Sequence, residues 1–150
     1  MSGILAMATV RIQKIDPEMP LPEYAHSGDA GLDLRSTESV RVPVNGRVSV
    51  GCGVAVAIPP GYAGLVLPRS GLAFKHGITL TNAPGLIDSG FRGEIRCSVI
   101  NHGVSPVELR RFDRIAQLVI TPVPYIFVEE SHELPESVRG AAGFGSTGAQ

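Results

Sequence analysis

Val48-Ser49-Val50-Gly51-Cys52-Gly53-Val54-Ala55-Val56-Ala57-Ile58 is the stretch that decides the fold of this chain. Its even positions are branched or sulfur-bearing apolar residues and its odd positions are serine, glycine and alanine. A period of two places alternate side chains on opposite faces, so the run is one strand, or two strands joined by a bend at the glycines. The same alternation returns over residues 94–100, and shorter β-type runs occupy 10–15, 40–44, 65–67, 78–80, 107–109 and 115–120. Val44-Asn45-Gly46-Arg47 reads as a tight hairpin, Pro59-Pro60-Gly61 as a turn, and Asn101-His102-Gly103 as a break between strands. A single short helix is predicted over 70–75, with Ser70 capping its start and Gly77 ending it. Many short strands closed by turns indicate an all-β sandwich or a distorted barrel of jelly-roll type. After Pro122 the alternation is lost, so residues 123–150 read as an arm that leaves the core toward a neighbouring subunit.

The 150 residues fit a single domain (1–150), long enough to fold around one core without covalent staples. Lys and Arg number 13 against 14 Asp and Glu, a balance that predicts neither a nucleic acid nor a membrane surface as partner. Any anion must therefore be met by a local site. Cys52 and Cys97 sit in alternating apolar segments, which predicts reduced, buried thiols rather than a disulfide framework or zinc site. The opening residues carry no basic leader and too short an apolar run for a signal or a span, so a cytoplasmic protein is expected. Residues 1–8 read as a loose extension, with Met1 or Met7 as the start.

Five polar clusters interrupt the strands. Ala30-Gly31-Leu32-Asp33-Leu34 places a carboxylate just inside a strand, where a strand-edge role would also explain it. Pro68-Arg69-Ser70-Gly71 puts a guanidinium, a hydroxyl and free N–H groups together, as an anion site or as a plain helix start. Residues 82–94 form a hairpin with more polar and aromatic detail than a turn needs, including Asp88, Phe91 and Arg92. In Arg111-Phe112-Asp113-Arg114-Ile115-Ala116-Gln117, a salt bridge from Asp113 is the simple structural account of the charges. The fifth cluster, Arg139-Gly140-Ala141-Ala142-Gly143-Phe144-Gly145-Ser146-Thr147-Gly148, combines glycine freedom, hydroxyl donors, an arginine fork and one aromatic ring: a phosphate clamp, or else a plain flexible tail.

In this order and at these intervals, the five clusters resemble the five motifs of the trimeric deoxyuridine triphosphate nucleotidohydrolases, the dUTPases, over nearly the whole chain. The resemblance implies hydrolysis of dUTP to dUMP and pyrophosphate, which keeps uracil out of DNA and supplies dUMP for thymidylate synthesis. It implies Asp88 as the base that activates water for attack on the α-phosphorus. Asn82, Leu86 and Ile87 would read uracil largely through backbone groups, with Arg96 adding main-chain atoms from the facing strand. Phe91 would lie beneath the deoxyribose and exclude a 2′-hydroxyl. Arg69, Ser70, Gly71 and Gln117 would bind the triphosphate with Mg²⁺ bridging its oxygens, and Asp33 would reach that ion through a water or act only structurally. Phe144 would stack on uracil, and Arg139, Gly145, Ser146 and Thr147 would contact phosphates as the tail closes. The resemblance also implies a homotrimer whose sites are shared among subunits.

Two positions depart from the family pattern: Phe91 stands where tyrosine is usual and Ala142 where glycine is common. A dCTP deaminase of the same superfamily is the nearest alternative, but that branch lacks the closing segment and the Ile-Asp-x-x-aromatic-Arg-Gly pattern at 87–93. A non-catalytic nucleotide-sensing jelly-roll module is the alternative from another class, and the combination of Asp88, Arg69-Ser70 and the tail speaks against it.

Overall fold

The computed structural model describes residues 8–141. Ala142, Phe144, Gly145, Ser146 and Thr147 of the fifth cluster lie outside the described residues, as does most of the N-terminal extension. Ten strands and one short helix follow in order: β1 (Arg11–Lys14), β2 (Leu32–Arg35), β3 (Val40–Val42), β4 (Arg47–Ala57), β5 (Tyr62–Leu67), α1 (Ser70–His76), β6 (Ile78–Leu80), β7 (Gly85–Ile87), β8 (Glu94–Asn101), β9 (Val107–Leu109) and β10 (Arg114–Pro122). They form two four-stranded sheets, β1-β4-β8-β6 and β2-β10-β5-β7, and a two-stranded ribbon, β3-β9. All pairings are antiparallel. Of the two architectures the alternation allows, the separate sheets correspond to a jelly-roll-like layering; the described strands do not close into a barrel.

β4 is the organising strand and is continuous through its glycines. Its register against β8 runs from Arg47↔Ile100 to Gly51↔Arg96 and resumes at Ala55↔Glu94, so a bulge sits at 52–54. Gly53 makes that bulge with φ +68, and a Cβ there would press on Asp16, Thr37 and Met19. Beyond the bulge Val54, Ala55 and Val56 are all buried, so both faces of the strand are covered. One core fills the space between the two large sheets, with Val50, Val54, Ile95 and Val99 from the first meeting Leu34, Val66, Ile115 and Leu118 from the second. At roughly 25 cal/mol per Å² of apolar surface, this layer is the main stabilising term.

One of the expected turns connects different partners from those its local signature suggests. Pro43 to Gly46 is a turn, with Gly46 N–H donating to Pro43 C=O at 2.9 Å and Asn45 at φ 59. It does not close a hairpin, because β3 pairs with β9 and β4 with β1 and β8. Instead Asn45 N–H donates to Asn101 C=O at 2.8 Å, which extends the β4–β8 ladder. The Asn101 side chain is fully buried and donates to Val42 C=O (3.1 Å) and Ser105 C=O (2.9 Å) while accepting from Gly103 N–H (2.8 Å). It thereby joins the small ribbon to the large sheet.

α1 ends at Gly77 in the left-handed region, as the sequence predicts. Its start differs: Arg69 occupies the N-cap position with extended backbone and makes no side-chain capping bond, so the Ser70 hydroxyl is not consumed as a cap. Cys52 and Cys97 are free and buried, with Sγ atoms 3.6 Å apart. The hydrogen bond to Cys97 and burial together push the Cys52 thiol far above its ordinary range. From Val123 to Ala141 the chain has neither helix nor strand, and Tyr125, Ile126, Phe127 and Val128 are all largely exposed.

Candidate active site

Residues 82–94 are not the two-stranded hairpin their turn residues suggest. The chain leaves the first sheet after β6, enters the second as β7 paired to β5, and returns to the first as β8 paired to β4 and β6. The sheets part where the segment crosses between them. That opening is a cavity of about 320 Å³, walled by Asn82, Leu86, Ile87, Phe91 and Arg96, with Val66, Leu80 and Cys97 also lining it. Five of the residues picked from the sequence are thus brought together.

Local hydrogen bonds fix the crossing. Phe91 N–H donates to Asp88 C=O at 3.1 Å, making a turn of Asp88-Ser89-Gly90-Phe91. The Arg92 guanidinium folds back to donate to Ser89 C=O (2.6 Å) and Phe91 C=O (2.8 Å). The Phe91 ring lies over Gly93, where an added Cβ would stand 2.8 Å from Cζ. Only hydrogen at position 93 leaves the ring in place. Glu94 accepts from Gly53 N–H at 2.9 Å, supplying a partner at the β4 bulge, and pairs with Arg96 Nη1 at 3.3 Å. Arg96 also donates to Ser49 Oγ and Ser49 C=O, both at 3.2 Å, so its guanidinium is engaged along the sheet.

Asp88 follows β7 directly, and its residue is exposed. It lines an adjoining cavity of about 300 Å³ with Tyr62, Val123 and Tyr125 rather than the wall of the first cavity. The remaining expected ligands gather elsewhere. Arg69, Ser70, Gly71 and Gln117 line a third cavity of about 370 Å³ together with Asp33 and Arg114. Here Asp33 is the centre of charge: its Oδ1 lies 3.5 Å from Arg69 Nε and its Oδ2 lies 3.4 Å from Arg114 Nη1. Arg69 also donates to Arg114 C=O (3.2 Å), and Gln117 Nε2 donates to Pro68 C=O (3.0 Å). Gly31 is packed against the Gln117 amide, which any Cβ would strike.

Arg114 therefore pairs with Asp33, not with Asp113, whose Oδ2 instead accepts from Arg110 N–H at 2.8 Å. β2 and β10 are hydrogen-bonded neighbours with Gln117 opposite Asp33, a pairing across distant clusters that no local pattern announces. His26 and Asp29, on the loop before β2, also line this bay. A polar turn, His26-Ser27-Gly28-Asp29, just ahead of the first cluster is the signal that would have found them. Arg139 is exposed near the end of the described chain. Among the described residues, no three His, Cys, Asp or Glu side chains are grouped to hold a metal ion. No helix among them is long and apolar enough to cross a membrane.

An all-β jelly-roll-like chain with an apolar cavity at a sheet crossing and a separate arginine-bearing bay has the layout of a protein that binds an anionic ligand. Comparison with known proteins makes this specific. Residues 17–148 match the dUTPase family model. The chain is 50% identical over 149 residues to a deoxyuridine 5′-triphosphate nucleotidohydrolase of Thermobifida fusca, covering 99% of this chain and 83% of that protein. It is 48% identical over 143 residues to the same enzyme of Corynebacterium glutamicum, covering 95% and 96%. Among solved structures it superposes with TM-score 0.86 on a dUTPase mutant of Staphylococcus bacteriophage 80alpha bound to dUpNHpp, at 27% identity, covering 93% of this chain and 98% of that one. A mutant dUTPase of phage phi11 of S. aureus, described with a structural Mg(II) ion, superposes with TM-score 0.78 at 25% identity, covering 83% and 97%. The chain belongs to the dUTPase family.

Proposed function

We propose that this chain hydrolyses dUTP to dUMP and pyrophosphate, with the base and sugar held at the sheet crossing and the triphosphate in the arginine-bearing bay. The observation that carries the reading is the family match over 17–148, which spans every one of these residues. The role proposed for each is the one the family resemblance implies. Main-chain groups around Asn82, Leu86 and Ile87 read uracil in the cavity that Val66 and Leu80 help to line, and the fit around the base excludes a thymine methyl. The Phe91 ring, seated on Gly93, occupies the region a ribose 2′-hydroxyl would need. Asp88 accepts a proton from water as that water attacks the α-phosphorus; the bond from the α-phosphorus to the bridging oxygen breaks, and pyrophosphate leaves. Arg69, Ser70, Gly71 and Gln117 hold the phosphates, and Arg139 with Phe144, Gly145, Ser146 and Thr147 closes the site.

Mg²⁺ fits this bay as a companion of the nucleotide. Both Asp33 oxygens face guanidinium groups, so Asp33 would reach the ion only through a water or would act only structurally, and the phosphates of the nucleotide would hold it. When bound, the ion neutralises charge on the phosphate oxygens and orients them.

Asp88 and the phosphate residues line separate cavities of one chain, which favours sites assembled across a homotrimer. The arm at 123–141, with its exposed apolar residues, is the element that reaches a neighbour. The enzyme acts in the cytoplasm. The test is pyrophosphate release with Mg²⁺ from dUTP, run beside dCTP, UTP and dTTP. Release from dUTP alone is expected; ammonia from dCTP, or no release from dUTP by a confirmed trimer, would overturn the assignment.

A further inference from the structure

The loop between β1 and β2 forms a wall of the phosphate bay that the family motifs leave unassigned. Ala25, His26 and Asp29 line the bay together with Arg69 and Arg114. The loop is held in a turn in which Asp29 N–H donates to His26 C=O at 3.2 Å and Gly28 takes φ +91. The Asp29 carboxylate then holds His26 twice: Oδ2 accepts from His26 N–H at 2.8 Å and lies 3.5 Å from the ring Nδ1. Only the imidazolium carries an N–H at both ring nitrogens; in that form Nδ1–H is turned to Asp29 and Nε2–H is left to donate to a ligand. The His26 side chain is 84% exposed while Asp33 in the same bay is 13% exposed, so His26 stands at the rim and Asp33 at the floor.

The charge inventory says why a rim donor matters. The guanidinium groups of Arg69 and Arg114 both face Asp33, and Asp29 adds a second carboxylate to the lining. The positive charge of the bay is therefore largely balanced before any ligand arrives, and a triphosphate needs further N–H donors. We propose that His26 is an additional substrate-binding residue of the reaction, donating from Nε2 to phosphate oxygens at the rim of the bay, with Asp29 as the group that orients its ring. The proposal rests on the reading of this bay as the triphosphate site.

The test is calorimetric titration of the full-length protein with the analogue dUpNHpp and with dUMP at fixed Mg²⁺, for wild type, His26→Ala, His26→Gln and Arg69→Ala. Loss of one charge-assisted donor predicts that His26→Ala weakens dUpNHpp about tenfold while dUMP, which lacks the distal phosphates, changes by less than about twofold. His26→Gln, which keeps an N–H donor, recovers part of the loss. Wild-type affinity for dUpNHpp in His26→Ala, with a clear loss in Arg69→Ala, overturns the role of His26 and leaves the bay standing. If Arg69→Ala also binds as wild type, the reading of the bay falls and takes the role of His26 with it. An equal loss for dUMP and dUpNHpp also overturns the proposal, because it places the effect on the nucleoside.

Discussion

Replacing Phe91 with alanine tests sugar selection at its physical source. Phe91 is 43% exposed, and its ring is seated on Gly93. A ribose brought against the free face would lose water around its 2′-hydroxyl, and a phenylalanine ring offers no hydrogen bond in return. An unpaired hydroxyl buried in a protein costs about 1–3 kcal/mol, which is roughly 5- to 150-fold in kcat/KM between dUTP and UTP. Phe91→Ala opens the space to water, so the dUTP/UTP ratio should fall by a factor within that range, chiefly through a gain for UTP. Gly93→Ala supplies an independent route, since its methyl group cannot coexist with the present ring position and must displace the ring while keeping it in the chain. The assay is pyrophosphate release from both nucleotides under matched Mg²⁺. If both variants retain the wild-type ratio, the ring is not the discriminator and the steric argument is refuted.

Three other perturbations probe different parts of the molecule. Asp88→Asn should lower turnover of dUTP by roughly 10²–10⁴-fold or more while leaving dUpNHpp binding within a few-fold, as removal of a general base predicts; a fully active variant would remove Asp88 from the mechanism. Truncation after Arg139 should reduce turnover with little change in the urea midpoint, because the core cluster lies wholly upstream of the cut; a large fall in midpoint would show that the tail is part of the fold. Asn101→Ala removes all three hydrogen bonds of a fully buried amide. It should cost about 3–5 kcal/mol in urea unfolding, and a cost below about 1 kcal/mol would mean that water replaces the amide.

Strand positions were legible because burial imposes a period of two, and the runs at 78–80 and 107–109 coincide with β6 and β9 residue for residue. Pairing was less legible. Asn45-Gly46 is a true turn, yet β3 finds β9, because partner choice is settled by the whole core and not by the four residues of the turn. The same limit applies to residues 82–94, whose turn residues are visible but whose crossing between sheets is a tertiary fact. At the bay, motif order singled out Arg69, Ser70, Gly71 and Gln117, which share one cavity. The Asp33 contacts with Arg69 and Arg114 span 36 and 81 positions and have no local signature. His26 escaped notice because a histidine in a polar turn looks like any solvated loop residue.

The cavity at the sheet crossing shares its walls with the core: Val66, Leu80, Ile87, Ile95 and Cys97 belong to both. With the base held here as proposed, base preference and foldedness would be encoded in overlapping side chains, and evolution could not reshape one without testing the other. Substitutions that adapt the site to a different base should survive selection mainly at its exposed positions, Asn82, Leu86 and Phe91, while the five shared positions stay close to their present volumes. A library randomised over all eight and sorted for function should show this split, with tolerance following depth rather than distance from the bound ring.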